Sequence, residues 1–156
     1  MTKSTPSNTN KLLLAIIIAA VIGLAASMYL SIVKLSDIPI YCTPGLGDCD
    51  ADNTSRWAIL FGVPLALYGV AMYLVILLVI LLKDKVKYIA QYEKFILFGI
   101  SCFGFFFSLY LLYLELFVIK AICQWCMVSA ISITTIFIIS LIRATQPPEQ
   151  AIKRRK

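Results

Sequence analysis

Hydrophobic residues along this chain fall into four long blocks that contain no charged side chain: 12–33, 57–82, 95–114 and 121–142. Each block reaches the ~20 residues that an α-helix needs to cross a hydrocarbon core of about 30 Å. The third block is expected to continue as a helix past Glu115 to about Ile119. Because lipid offers no partner for backbone hydrogen bonds, helices are predicted for all four blocks. The predicted fold is all-α: a transmembrane four-helix bundle with an extracytoplasmic, cysteine-bearing loop between helices 1 and 2.

Composition supports a membrane protein and excludes several enzyme classes. Apolar residues make up 61% of the chain and charged residues 14%, against about 45–50% and about 25% in an ordinary soluble domain. The chain contains no histidine, which excludes a bis-histidine haem, the usual catalytic zinc sites and a Ser-His-Asp triad. A soluble enzyme is excluded, and a small multi-span membrane protein remains.

Basic residues are distributed unequally between the two sides of the predicted bundle. Of the fourteen Lys and Arg residues, only Lys34, Arg56 and Lys120 lie on the side of the long loop 34–56. The positive-inside rule therefore predicts a multi-pass protein of the cell membrane, with both termini in the cytoplasm and this loop on the outer face. Basic residues so scattered are typical of membrane topology, and no nucleic-acid partner is predicted.

The chain is divided by this pattern into three regions: a mobile cytoplasmic leader (1–11), the four-span bundle (12–143) and a basic cytoplasmic tail (144–156). The first apolar block exceeds the roughly 7–15 residues typical of a signal-peptide core. A retained first helix is therefore predicted.

Four of the five cysteines lie on the predicted outer face, where disulfides persist. Cys42 and Cys49 belong to the long loop and are separated by a segment rich in Pro and Gly, which favours a flexible turn. Cys123 and Cys126 form a CxxC motif at the start of the predicted fourth helix. These four residues are the candidate catalytic residues.

The CxxC placement suits redox chemistry for physical reasons. A cysteine reacts as its thiolate, and a helix N-terminus stabilises negative charge. Residues i and i+3 lie on one helical face, about 4.5 Å apart along the axis, so the pair can close a small disulfide. The outer Cys123 is expected to reach a water-side thiol, while the inner Cys126 can face a lipid-soluble molecule.

Other interpretations of the cysteines stand beside this one. Cys42 and Cys49 by themselves favour a structural clip, and all four thiolates together would form a zinc site. Cys102, within the third span, is expected to be a packing residue. Two rival protein classes follow: a tetraspan structural or adhesion protein braced by disulfides, and a thiolate metal-binding membrane protein.

Taken together, several segments resemble the vitamin K epoxide reductase family, including its prokaryotic quinone-linked, disulfide-forming members. The resemblance lies in the loop pair Cys42/Cys49, Ser55-Arg56-Trp57, the segment Phe61-Gly62-Val63-Pro64 with the residues up to Gly69, and Cys123-Gln124-Trp125-Cys126. Their order and the four-helix layout cover roughly residues 12–143.

The resemblance implies a role for each of the four cysteines. Cys126 would pass electrons to a membrane quinone of the menaquinone, ubiquinone or phylloquinone type, and Cys123 would be its resolving partner. Cys49 would attack Cys123, and Cys42 would exchange with an outside thiol donor. Since no thioredoxin-like domain is present, a separate thioredoxin-like carrier or the exported substrate proteins themselves would supply the electrons. No metal is implied.

The resemblance also implies a quinone pocket near Ser55, Trp57, Phe61, Pro64 and Trp125. Simpler interpretations exist for these residues: Ser55 as a helix N-cap, the tryptophans as interfacial anchors, and Pro64 as a packing residue.

Two positions depart from the vertebrate members of the family. Ala58 and Ala130 stand where those enzymes have an Asn and a Tyr that contact the naphthoquinone head group. These departures favour simple quinone reduction, with vitamin K quinone or epoxide reduction as the alternative.

Overall fold

The structure, a computed structural model, describes residues 6–43, 45, 59–83 and 85–145, and this part of the chain is built almost entirely of helices. Its helices are α1 (Pro6–Ser36), α2 (Leu65–Leu82), α3 (Lys87–Tyr113) and α4 (Gln124–Thr145). A π-helical segment, Leu114–Ile119, continues α3. The strands β1 (Ile59–Leu60) and β2 (Val63–Pro64) form a small antiparallel hairpin.

Four helices are long and apolar enough to cross a membrane, which confirms the predicted all-α, four-span fold. The expected continuation of the third span to Ile119 is also confirmed. Among the described elements, α1 packs against α2 and α4, and α3 packs against the same two helices. Ile16, Tyr73, Ile76, Leu97 and Ile136 belong to the main buried cluster. Large apolar side chains also cover the outside, as expected for a surface in contact with lipid.

The prediction of a helix over residues 57–64 was wrong for the part that the structure describes. Ile59 pairs with Pro64 and Leu60 with Val63, and α2 begins only at Leu65. Phe61 and Gly62 form the turn with φ angles of 53° and 80°, the left-handed conformation that a two-residue hairpin loop requires. Hydropathy does not detect this, because an apolar hairpin and an apolar helix have the same composition.

Two other predicted helix boundaries differ from the structure. α1 begins at Pro6, so residues 6–11 of the predicted mobile leader are helical; proline suits the first helical position because its missing N–H has no partner there. α4 begins at Gln124 instead of Ala121, and it extends to Thr145. Lys120, with φ 57°, ends the π-helical segment and turns the chain before α4.

The end of α1 directs the following chain across the bundle. Asp37 has a left-handed φ of 51°, and the backbone N–H of Ile38 donates to the carbonyl of Val33 at 3.3 Å. This is the six-to-one bond of a Schellman motif, which terminates a helix and reverses the chain. Residues 38–43 are thereby brought over the same end of the bundle as the start of α4.

A buried ion pair connects α3 and α4 at the opposite end of the bundle. Arg143 Nη2 lies 2.9 Å from Glu93 Oε1, and the two side chains are only 4% and 10% exposed. Two further guanidinium nitrogens of Arg143 are buried without a hydrogen-bond partner. The pair therefore has little additional polar support, and each charge depends on the other.

Arg143→Ala should destabilise the protein because it leaves the buried Glu93 carboxylate uncompensated. Loss of one partner of a buried pair costs about 3–5 kcal/mol, and the thermal unfolding midpoint in detergent should fall accordingly. The double variant Glu93→Gln/Arg143→Met should recover most of this loss. Lys94→Ala, which removes a neighbouring, more exposed cation, is the matched control. An Arg143→Ala midpoint equal to that of Lys94→Ala would contradict the prediction.

Candidate functional site

The loop segment that carries Cys42 is hydrogen-bonded to the two residues between the cysteines of the CxxC motif. Trp125 Nε1 donates to the carbonyl of Tyr41 at 3.1 Å, and the backbone N–H of Thr43 donates to Gln124 Oε1 at 3.4 Å. The Trp125 ring also contacts Tyr29 of α1, with 4.7 Å between ring centroids. The residues on either side of Cys42 are thus held against the start of α4.

The same contacts bring three of the predicted catalytic cysteines into one cluster. Cys42 and Cys126 pack against a buried group that contains Cys123, Leu30 and Ile40. Cys42 is in a disulfide. Cys49 lies outside the described residues.

Cys123 is 0% exposed, and its exchange with a water-side thiol stays a prediction. The chain over residues 38–43 covers the start of α4, and hydropathy along the sequence does not reveal such a covering segment. An outside protein can therefore exchange electrons with Cys123 only through another group of this chain or after the covering segment moves.

The CxxC cysteines have different positions relative to α4. The backbone N–H of Met127 donates to the Cys123 carbonyl at 3.0 Å, so Cys123 is the N-cap residue and Cys126 lies in the first turn. The first backbone N–H groups of a helix have no intrahelical partner and carry partial positive charge. A thiolate formed at either cysteine therefore lies where negative charge is favoured.

A partly open cleft between the four helices begins beside Cys126. Its walls are mainly apolar, with Leu30, Pro64, Met72, Phe107 and Leu111 among the lining residues. Cys126 is part of this wall, whereas Cys123 is not. The inner cysteine of the motif thus faces a mainly apolar space within the bundle.

Five polar side chains of the cleft wall were not identified from the sequence: Ser27, Tyr73, Ser108, Glu115 and Ser129. The Tyr73 hydroxyl donates to the Ser129 carbonyl at 2.8 Å and lies 3.0 Å from Ser129 Oγ. Ser129 Oγ lies 3.5 Å from Ser27 Oγ. Glu115 is buried in the π-helical segment, a helix type that is frequent at functional sites. The signal in the sequence was a polar residue within an apolar span, which is costly and so calls for a partner or a function.

The residues predicted to contact a quinone are only partly brought together. Pro64 lines the cleft, whereas Trp125 is not part of its wall and packs against the same buried cluster as Cys126. Phe61 is 92% exposed at the tip of the hairpin and does not reach the cleft. Ser55 and Trp57 lie outside the described residues. The quinone-binding role of all five residues stays a prediction.

Among the described residues, no group of three or more His, Cys, Asp or Glu side chains is arranged to hold a metal ion. Cys42, one of the four sulfurs that a thiolate zinc site would use, is in a disulfide.

The fold and the site together define a membrane-embedded thiol protein, with a CxxC motif where the last helix enters an apolar cleft. The sequence model of the vitamin K epoxide reductase family matches residues 14–141. The match extends over most of the chain, and the protein belongs to this family. Membership implies a membrane oxidoreductase, and members of the family use quinones in general.

Proposed function

We propose that this protein is a membrane thiol:quinone oxidoreductase that generates disulfides in exported proteins. Electrons pass from a thioredoxin-like carrier to Cys42/Cys49, then to Cys123/Cys126, and finally to a membrane quinone. The observation that carries this proposal is the position of the CxxC motif, with Cys126 on the cleft wall and Cys123 buried beneath the segment that bears Cys42.

The burial of Cys123 is the reason for a relay with two cysteine pairs. A protein carrier cannot reach a sulfur that is 0% exposed, but a cysteine of the covering loop already lies in the same cluster. Carrier thiols reduce the Cys42–Cys49 disulfide by exchange through a mixed disulfide. The Cys49 thiolate then attacks the Cys123–Cys126 disulfide at Cys123, and Cys126 leaves as a thiolate. Cys42 closes the loop disulfide again by displacing Cys123 as a thiol.

The cleft suits a quinone head group by its chemistry. Ligand pockets combine mainly apolar walls with a few polar groups, and this cleft has both properties. Bound quinone supplies a two-electron, two-proton acceptor. When Cys123 and Cys126 rejoin as a disulfide they release two electrons and two protons, which is the amount needed to convert a quinone into a quinol.

Orientation follows from the charge pattern in this proposal. Placing the basic ends of the chain in the cytoplasm puts the cysteine cluster at the outer face, where exported proteins acquire disulfides. The alternative of vitamin K epoxide reduction is less well supported, because Ala130, which lines the cleft, supplies no hydroxyl where the vertebrate members have a tyrosine.

The test is quinone reduction by the purified protein. With dithiothreitol as donor, wild-type protein should consume oxidised menaquinone, ubiquinone or phylloquinone analogues, followed by ultraviolet absorbance. Cys126→Ser should lower this rate by about a thousandfold or more, since nucleophile loss in enzymes commonly has effects of that size. Cys102→Ala removes a thiol of α3 outside the cleft wall and should retain wild-type activity.

Two results would contradict the proposal. Failure of wild-type protein to reduce any of the three quinone types, together with disulfides that resist mild reductant, would favour a structural, disulfide-braced protein. Stoichiometric zinc in the purified protein, with all four cysteines reduced, would favour the metal-binding class.

A further inference from the structure

The hydroxyl groups of Ser27, Tyr73 and Ser129 lie side by side in the apolar cleft, where they form a hydroxyl cluster. They come from α1, α2 and α4. Along the sequence, Ser129 follows Ser27 by 102 residues and Tyr73 by 56 residues. Ser27 and Tyr73 are 3% and 2% exposed, and all three side chains belong to the cleft wall. Polar groups buried this deeply in a membrane protein are costly and usually serve packing or a ligand.

Two glycines provide the space that the hydroxyl cluster occupies between the helices. A Cβ atom at Gly23 would overlap the Tyr73 ring, and a Cβ at Gly69 would lie 2.8 Å from Ser27 Oγ. Glycine at these two positions therefore lets a tyrosine and a serine enter between α1 and α2. The hydroxyl groups are held by the packing of three helices.

The hydrogen bonds within the hydroxyl cluster leave the protons of Ser27 and Ser129 available to a ligand. The Tyr73 proton is directed to the Ser129 carbonyl at 2.8 Å, so the Tyr73 oxygen can accept a proton from Ser129 Oγ at 3.0 Å. Ser27 Oγ lies 3.5 Å from Ser129 Oγ, beyond the usual range for two hydroxyl groups. The Ser27 proton is thus the one held least firmly, and Ser129 can turn its own proton from Tyr73 to a ligand.

This donor set is suitably placed relative to the reactive sulfur. Ser129 follows Cys126 by three residues, so the two lie on the same face of α4, about 4.5 Å apart along its axis. A quinone ring that lies against the Cys126 sulfur can therefore place one of its carbonyl oxygens next to the hydroxyl cluster. A carbonyl oxygen in an apolar cleft without a donor would lose the hydrogen bonds that it makes in water.

We propose that Ser27 and Ser129, oriented by Tyr73, donate hydrogen bonds to a carbonyl oxygen of the quinone head group. The proposal rests on the proposed function for the identity of the ligand. Ser27 and Ser129 would be binding residues and Tyr73 a positioning residue. They would replace the polar contacts that the vertebrate family members make with an Asn and a Tyr, at the positions where this protein has Ala58 and Ala130.

The experiment compares two ligands that differ only in their carbonyl oxygens. Dimethylnaphthoquinone and dimethylnaphthalene share one carbon frame, and their dissociation constants are measured with fully oxidised protein in nanodiscs, where no turnover occurs. Ser27→Ala and Ser129→Ala should each weaken quinone binding about tenfold, the equivalent of about 1.4 kcal/mol for one hydrogen bond. Hydrocarbon binding should change less than about twofold, because hydroxyl donors do not contribute to it.

Ser132→Ala is the matched control. Its hydroxyl is also buried on α4 but donates to the Val128 carbonyl within the helix and lies outside the cleft wall. This variant should bind both ligands as wild-type protein does, and Ser129→Thr, which retains a hydroxyl, should keep most of the quinone affinity. In turnover, Ser129→Ala should raise the KM for quinone more than it lowers kcat.

The two ligands also distinguish a failure of this proposal from a failure of the proposed function. Equal losses for quinone and hydrocarbon would show that the serines act only in packing, and no loss for either would show that they do not contact the ligand; either result overturns the donor role. A wild-type protein that binds quinone through these serines yet never reduces it would refute the proposed function alone.

Discussion

Cys123→Ala is expected to stop quinone turnover and to accumulate a coloured species that needs both quinone and Cys126. Cys126 is part of the cleft wall and Cys123 is its neighbour at the N-cap of α4. Without Cys123, the Cys126 thiol remains beside the quinone, but no partner is present with which it can form a disulfide. Steady-state quinone reduction should fall by about a thousandfold or more, and a visible absorbance band should appear on adding quinone.

Two further variants test the assignment of that band. Cys123→Ala/Cys126→Ser should lack it, whereas Cys102→Ala/Cys123→Ala should show it unchanged. A band that survives the loss of Cys126, or a Cys123→Ala protein that turns over at the wild-type rate, would contradict the assignment of Cys126 as the residue that faces the quinone.

Loss of the loop pair should separate two kinds of electron donor. In Cys42→Ala/Cys49→Ala, quinone reduction driven by a thioredoxin-like protein should fall by a hundredfold or more, because Cys123 is 0% exposed. With dithiothreitol the loss should be roughly tenfold or less, since a small molecule can enter when segment 38–43 opens locally. Measuring both rates on the same preparation gives the ratio directly.

The order of exchange within the loop is tested by trapping. A thioredoxin-like carrier whose resolving cysteine is replaced by alanine should form a mixed disulfide with Cys42, so Cys42→Ala should abolish the trapped complex. Cys102→Ala should leave it intact. A loop-pair variant that accepts electrons from the carrier as fast as wild-type protein would show that Cys123 is reached directly, and the two-pair relay would be wrong.

We expect the buried ion pair to affect the stability of the protein and not its reaction with quinone. Glu93 and Arg143 lie at the end of the bundle away from the CxxC motif and are not part of the cleft wall. Their loss should lower stability and leave the quinone affinity of the folded fraction unchanged. The ion pair and the proposed redox site thus lie at opposite ends of the same four helices.

The glycines of the bundle show how a membrane interior is packed. Lipid is as apolar as the core, so helices associate through close fit and interhelical hydrogen bonds instead of hydrophobic transfer. Gly23 beside Tyr73 and Gly69 beside Ser27 illustrate both contributions, because each absent Cβ allows a polar side chain to reach a partner on another helix.

The sequence by itself determined the number of spanning helices, their approximate bounds and the family. Length and hydropathy are sufficient for the spans, because only a helix satisfies its backbone in lipid. The cysteine pattern and the segment around Pro64 were sufficient for the resemblance, and the family match confirms it. Local sequence was less reliable at residues 59–64, where positive φ angles at Phe61 and Gly62 produce a hairpin within an apolar block.

Only the tertiary structure decided which faces of the helices meet. In a soluble protein, alternation of apolar and polar residues marks the buried face, but here lipid-facing and core-facing positions are both apolar. The contacts among Ser27, Tyr73 and Ser129, and the covering of Cys123 by the Cys42 segment, therefore had no signature along the chain. They arise from the packing of helices distant in sequence, and that packing creates the site.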